Sequence, residues 1–215
     1  MRLFRNFLER SRSRLRQLRR GPALRLLAAT ALLLAAGPPW TPVRHAFARL
    51  HCATANVVLG ALTFGSGGHL RLTADVPAEV RGPSTDSVMV MTLDGRSGQA
   101  LTGLSARRDA YLPLLILVAV LVAAPLRPRV RLQCLAAGVA LQVAAAMFAL
   151  WLFAVWDFAV GLGVAGVYHL PPSRLEALDV AFRALLLPPG NRFVVPLLIA
   201  AALAGPRLVR ASARP

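Results

Sequence analysis

Apolar residues are distributed along this chain in two ways. Over 22–42, 111–126, 132–156 and 191–207 they run almost without interruption. Over 43–110 and 157–190 they alternate with polar residues at helical or strand spacing. Crossing the hydrocarbon core takes about 20 apolar residues. The run Leu132–Val155 has that length. The runs 111–126 and 191–207 reach it only if flanking arginines extend to the headgroups. The pattern predicts a membrane all-α bundle of four transmembrane helices over these four runs.

The alternating segments predict the remainder. Residues 43–64 read as a helix on the outer membrane surface. His69–Asp75 and Ser87–Leu93 alternate with period two, and Asp94-Gly95 marks a hairpin into a return strand over Gln99–Ala106. Three such strands make a small extracytoplasmic antiparallel β insert, so the class is α+β. After Pro171-Pro172, the spacing Ser173-x-x-Glu176 predicts a capping box. It opens an in-plane amphipathic helix to about Leu187, with Leu175, Leu178 and Phe182 on its apolar side.

Charge orients this arrangement. The net charge is +16, and all 25 basic residues are arginine. The expected cytoplasmic segments are the basic N-terminal 1–21 with Arg19 and Arg20, the 127–131 link with Arg127, Arg129 and Arg131, and the tail 208–215. With Arg207 at the edge of the tail they hold 14 arginines against one acid, whereas the outer segments, with Arg192 at their edge, hold 10 against eight. That asymmetry places both termini in the cytoplasm. Trp40, Tyr111, Trp151, Trp156 and Tyr168 then fall at the outer interface, where aromatic rings are favoured. Basic charge placed beside apolar spans points to anionic membrane lipids as partners and away from nucleic acid. Gly37-Pro38-Pro39 stands where a signal peptidase would need small residues, so the first run is expected to remain as an anchor.

The polar chemistry within the spans is sparse. Ala136, Ala140 and Ala144 recur at i+4 with Gly138 nearby, a pattern that lets another helix approach closely. Gln142 lies near mid-bilayer, where it is expected to hydrogen-bond across a helix pair. Cys52 and Cys134 fall on opposite sides of the membrane and are not expected to pair. Neither cysteines, histidines nor acids show metal-ligand spacing, and no cofactor is expected. His51 and Cys52 are adjacent, so on a helix they point about 100° apart, poor geometry for a base and its nucleophile. An alternative reading is a membrane-embedded enzyme using Cys52 with His51 or His69, or Asp157 with His169. A small transporter or channel subunit is weaker, because apart from Gln142 the spans carry almost nothing polar and show no repeat.

The layout resembles a known family. One span, an amphipathic outer segment, a small strand-rich insert, the hairpin LPLLILVAVLVAAPLRPRVR and a proline-containing last span together resemble the small multi-pass membrane proteins associated with exosortase H. The specific part is Tyr111-Leu112-Pro113-Leu114-Leu115 leading through Val122-Ala123-Ala124-Pro125-Leu126 into the arginine link. The resemblance implies a non-enzymatic accessory protein of the bacterial inner membrane, beside an exosortase-type sorting transpeptidase. It carries no catalytic residues onto this chain.

Overall fold

The computed structural model describes residues 25, 27–33, 35, 41–60, 68–93, 99–161, 171–186 and 190–212. Among the described residues are five α-helices with defined bounds and a three-stranded sheet. The helices are α1 (Thr41–Gly60), α2 (Leu112–Ala123), α3 (Pro128–Trp156), α4 (Pro172–Leu185) and α5 (Asn191–Ser212). The strands are β1 (Gly68–Thr73), β2 (Ser87–Leu93) and β3 (Gln99–Leu104), in the antiparallel order β1-β2-β3. Register runs from Gly68 opposite Leu93 to Thr73 opposite Val88, and from Ser87 opposite Leu104 to Thr92 opposite Gln99.

The four-helix transmembrane bundle is not what forms. Among the described residues, one helical stretch is long and apolar enough to cross a membrane: Pro128–Val160, which is α3 with its C-terminal extension. The expected second span is only 12 residues long as α2. At about 1.5 Å per residue it covers some 18 Å, well short of the roughly 30 Å hydrocarbon layer. Pro125 explains the early stop. It disfavours the helical conformation in the preceding residue, and Ala124 leaves the helix at φ −59°, ψ 135°. The expected last span forms α5, but with Pro196 and Pro206 inside it and Arg192 and Arg207 within its bounds. About half of the expected first span lies outside the described residues, which show helix at 25, 27–33 and 35.

Helix α3 is the axis of the molecule, and two clusters are built along it. Near its start, Cys134 packs with Leu117 and Leu121 of α2 and with Ala200 and Ala204 of α5. Toward its end, Met147, Leu150 and Ala154, with Phe158 beyond, pack against Cys52, Ala55 and Leu59 of α1 and Leu72, Met89 and Met91 of the sheet. Leu72 pairs with Met89 across β1 and β2, so these side chains share one face, as period-two alternation requires. Both α2 and α3 adjoin one π-helical turn, at Arg107–Tyr111 and Asp157–Gly161 respectively.

The amphipathic helix starts differently from its sequence signature. Pro172 takes the first helical position and Pro171 becomes the N-cap. Proline is preorganised for that position. Ser173 is thereby drawn into the first turn, and the helix has no side-chain cap, so the Ser173/Glu176 box does not form.

Candidate functional site

Helix α3 presents two different faces. The inward face contains Gly138 and Gln142, both buried. A Cβ at Gly138 would lie 3.1 Å from Leu121 Cδ1 and 3.3 Å from Leu117 Cδ2, so glycine is what lets α2 approach here. The outward face contains the expected stripe. Ala136, Ala140 and Ala144 are exposed, and exposed Leu132 and Phe148 extend the same i+4 series by one turn at each end. Thus the residues grouped in the sequence as one packing stripe separate. Gly138 makes the close helix contact, and the alanines are left uncovered.

Gln142 does not do what its position suggested. It is only 4% exposed, yet its Oε1 has no hydrogen-bond partner. It therefore makes no hydrogen bond across a helix pair through that atom.

Among the link arginines, Arg127 and Arg129 are exposed. Arg131 instead turns back, and its guanidinium donates to the carbonyls of Leu126 (3.0 Å) and Ala124 (3.3 Å). It therefore caps the end of α2, where carbonyls lack intrahelical donors. Arg19 and Arg20 lie outside the described residues. Arg207 of α5 donates to the Cys134 sulfur, whose thiol donates to the Leu203 carbonyl at 3.8 Å.

Cys52 lies in the core between α1 and the sheet, 4% exposed and unpaired. Burial pushes its thiol up to about 11, and the carboxylates of Asp86 and Asp75 act in the same direction. That environment suits a packed thiol, not an attacking thiolate. His51 stacks on Phe47, with ring centroids 6.4 Å apart and planes within 8°. Burial lowers its pKa against the opposing pull of Asp109 and Asp86, so the ring is neutral near pH 7. His69 lies on β1, and His169 is outside the described residues. Asp157 accepts from Thr102 Oγ1 at 2.8 Å, joining the sheet to the π turn that follows α3.

The polar device that sequence reading missed is Asp86. It is 5% exposed, and its carboxylate accepts the Ala106 N–H at 2.6 Å and the Arg107 N–H at 3.1 Å. These amides open the helical segment leading into α2, so Asp86 supplies the anion that a helix N-terminus favours. Arg44 of α1 lies 3.9 Å away and also donates to the Thr85 carbonyl at 2.8 Å. Its only sequence signal was a lone acid before a strand. Asp109 pairs with Arg108 at 3.4 Å and with Arg192 at the start of α5. A groove of about 980 Å³ borders α1 with Arg44, Arg49 and Arg81. Arg44 is committed to Asp86 and Thr85, and Arg81 to the Val76 carbonyl. Among the described residues, no three histidines, cysteines or acids converge as metal ligands.

No protein-family model, curated protein or solved structure matches this chain.

Proposed function

We propose that this chain is a non-enzymatic accessory protein anchored in the bacterial cytoplasmic membrane by α3. Its exposed face would bind a helix of a membrane-protein partner. The observation that carries this reading is the uncovered i+4 series Leu132, Ala136, Ala140, Ala144 and Phe148 on the helix of spanning length. Small residues in mid-series lower the surface so that a second backbone can come close, and Leu132 and Phe148 bound it. Arg127 and Arg129 reach anionic headgroups at one end. The layout's resemblance to exosortase H-associated proteins supports an exosortase-type protein as the partner, and hence a place in protein sorting.

The test is photocrosslinking in native membranes from reactive residues placed at Ala140 and Ala136, with a third placed at buried Met147. The expected result is capture of one membrane protein from Ala140 and Ala136 but not from Met147, with capture from Ala136 abolished by Ala140→Trp. Extraction of the chain into carbonate washes, or lipid adducts only from Ala140, would overturn the proposal.

A further inference from the structure

A cavity of about 260 Å³ lies between β3, the π turn at Arg107–Tyr111, the last third of α3, the end of α4 and the start of α5. Leu104, Leu150, Phe153, Phe182 and Leu186 give it carbon walls. The α4 wall is fixed in place, because Phe182 stacks on Trp156 at 3.9 Å and meets Phe153 at 6.0 Å between ring centroids. The charged lining residues are Arg108, Asp109 and Arg192. Both guanidiniums bind the same oxygen, Asp109 Oδ1, Arg108 through Nε at 3.4 Å and Arg192 through Nη1. A guanidinium has five N–H donors, so each keeps donors beyond that contact. Two cations share one anion, which leaves the trio with a single positive charge in excess. Its donors are open to a ligand, since the Arg108 and Arg192 side chains are 57% and 26% exposed. His51 is the remaining titratable group of the lining and is neutral near pH 7, so no second acid offsets the excess.

We propose that this cavity binds a fatty carboxylate, its head on the free donors of Arg108 and Arg192 and its chain among the carbon walls. An apolar cavity of roughly 150 Å³ takes up benzene, and on that scale about ten chain carbons fit here. Asp109 already shows that the two arginines accept a carboxylate, the group whose geometry a guanidinium matches. One negative charge balances the trio. A neutral hydrocarbon would leave the excess unmatched, a cationic amphiphile would be repelled, and a phosphate monoester would bring up to about two charges against one. The assignment does not draw on the partner proposed above, because none of these residues belongs to the outward Ala136/Ala140 series.

The experiment photolabels the full chain, purified in a maltoside detergent, with a diazirine-bearing decanoate, and uses the matching diazirine decanol as comparator. Labelled peptides and thermal unfolding are both measured. Decanoate insertion is expected to concentrate in 146–153 and 182–186 and to be competed by unlabelled decanoate. Arg192→Gln is expected to weaken it about tenfold, the scale of one hydrogen bond to a charged group. Asp109→Asn removes the competing carboxylate and keeps both guanidiniums. It should strengthen labelling about fivefold, the effect of one like charge at ~4 Å in water, a gain that a purely structural ion pair would not produce. Ala149→Trp, which fills the space and leaves the trio intact, should abolish labelling, and decides the matter if either charge variant unfolds. Equal labelling of the cavity by the decanol probe would overturn the proposal. So would unchanged or weaker labelling of folded Asp109→Asn, or stronger competition by phosphatidylglycerol than by decanoate, which would assign the cavity to a phospholipid chain.

Discussion

The two ends of α3 are held by different forces. Around Cys134 and Gly138, contact with α2 and α5 is made mainly of aliphatic side chains and one close backbone approach, with the contacts of Cys134 to Arg207 and the Leu203 carbonyl as its polar part. Around Ala154 and Trp156, the same helix is fastened by directional polar contacts. Thr102 donates to Asp157, and the Trp156 indole donates to Asp179 at 3.0 Å while its ring stacks on Phe182 at 3.9 Å. Nearby, Asn56 of α1 exchanges both amide hydrogen bonds with the Leu72 backbone, at 2.8 and 2.9 Å, and so occupies the open edge of β1. Covering an edge strand in this way suppresses pairing with other chains. Apolar packing without hydrogen bonds depends on the solvent, whereas a satisfied polar network depends on protonation and geometry. One end of α3 should therefore respond to the lipid or detergent around it, and the other to single polar deletions.

The sharpest break of that contrast is Asp86→Ala. It strips the first amides of the segment before α2 and leaves Arg44 half-buried without its carboxylate. A loss of about 3–5 kcal/mol in urea unfolding is expected, as for one half of a buried pair. Gly138→Leu comes next. It forces carbon into the space held by Leu117 and Leu121, and overpacking of this kind costs about 1–3 kcal/mol. Its effect should vary with detergent chain length, whereas that of Asp86→Ala should not. Asn56→Ala exposes the β1 edge and should cost about 1–2 kcal/mol, with a rise in aggregation rate measured by light scattering.

The pH response sharpens the comparison further. The Cys52 pKa in the folded chain, about 11, lies above its ordinary value of 9.0. The folded state therefore holds the thiol proton more tightly, and this contribution to stability is complete below pH 9.0 and is lost as pH rises toward 11. Alkylation by iodoacetamide at pH 9 should be slow for Cys52 in the folded chain and fast after urea unfolding. Asp179 behaves oppositely. The Trp156 hydrogen bond, and then Arg183, lower its pKa below the ordinary 3.8. Its contribution is present above that value and fades as pH falls through the folded pKa, which Trp156 fluorescence would follow. The smallest expected effect is Ala140→Leu, within about 0.5 kcal/mol, because the site is exposed. A large loss there would mean that the outer face of α3 is already covered within the chain.

The sequence by itself determined the local elements. Period-two alternation placed β2 at Ser87–Leu93 and β1 and β3 within two residues of their observed ends. The apolar run after Arg131 marked the helix that, among the described residues, has spanning length. The brevity of α2 was also legible, since Pro125 disfavours helix at Ala124, but apolar composition outweighed that signal. Other features belonged to the tertiary structure alone, because they depend on which side of a helix meets a neighbour. A helix that is apolar all round has no preferred face in sequence. The small residues of α3 therefore looked equivalent, until α2 and α5 settled on Gly138 and left Ala136, Ala140 and Ala144 outside. Gln142 likewise became a buried residue with an unpaired oxygen only once the chain packed around it. Asp86 became a helix cap only because β2 begins beside Ala106, 20 residues further along the chain.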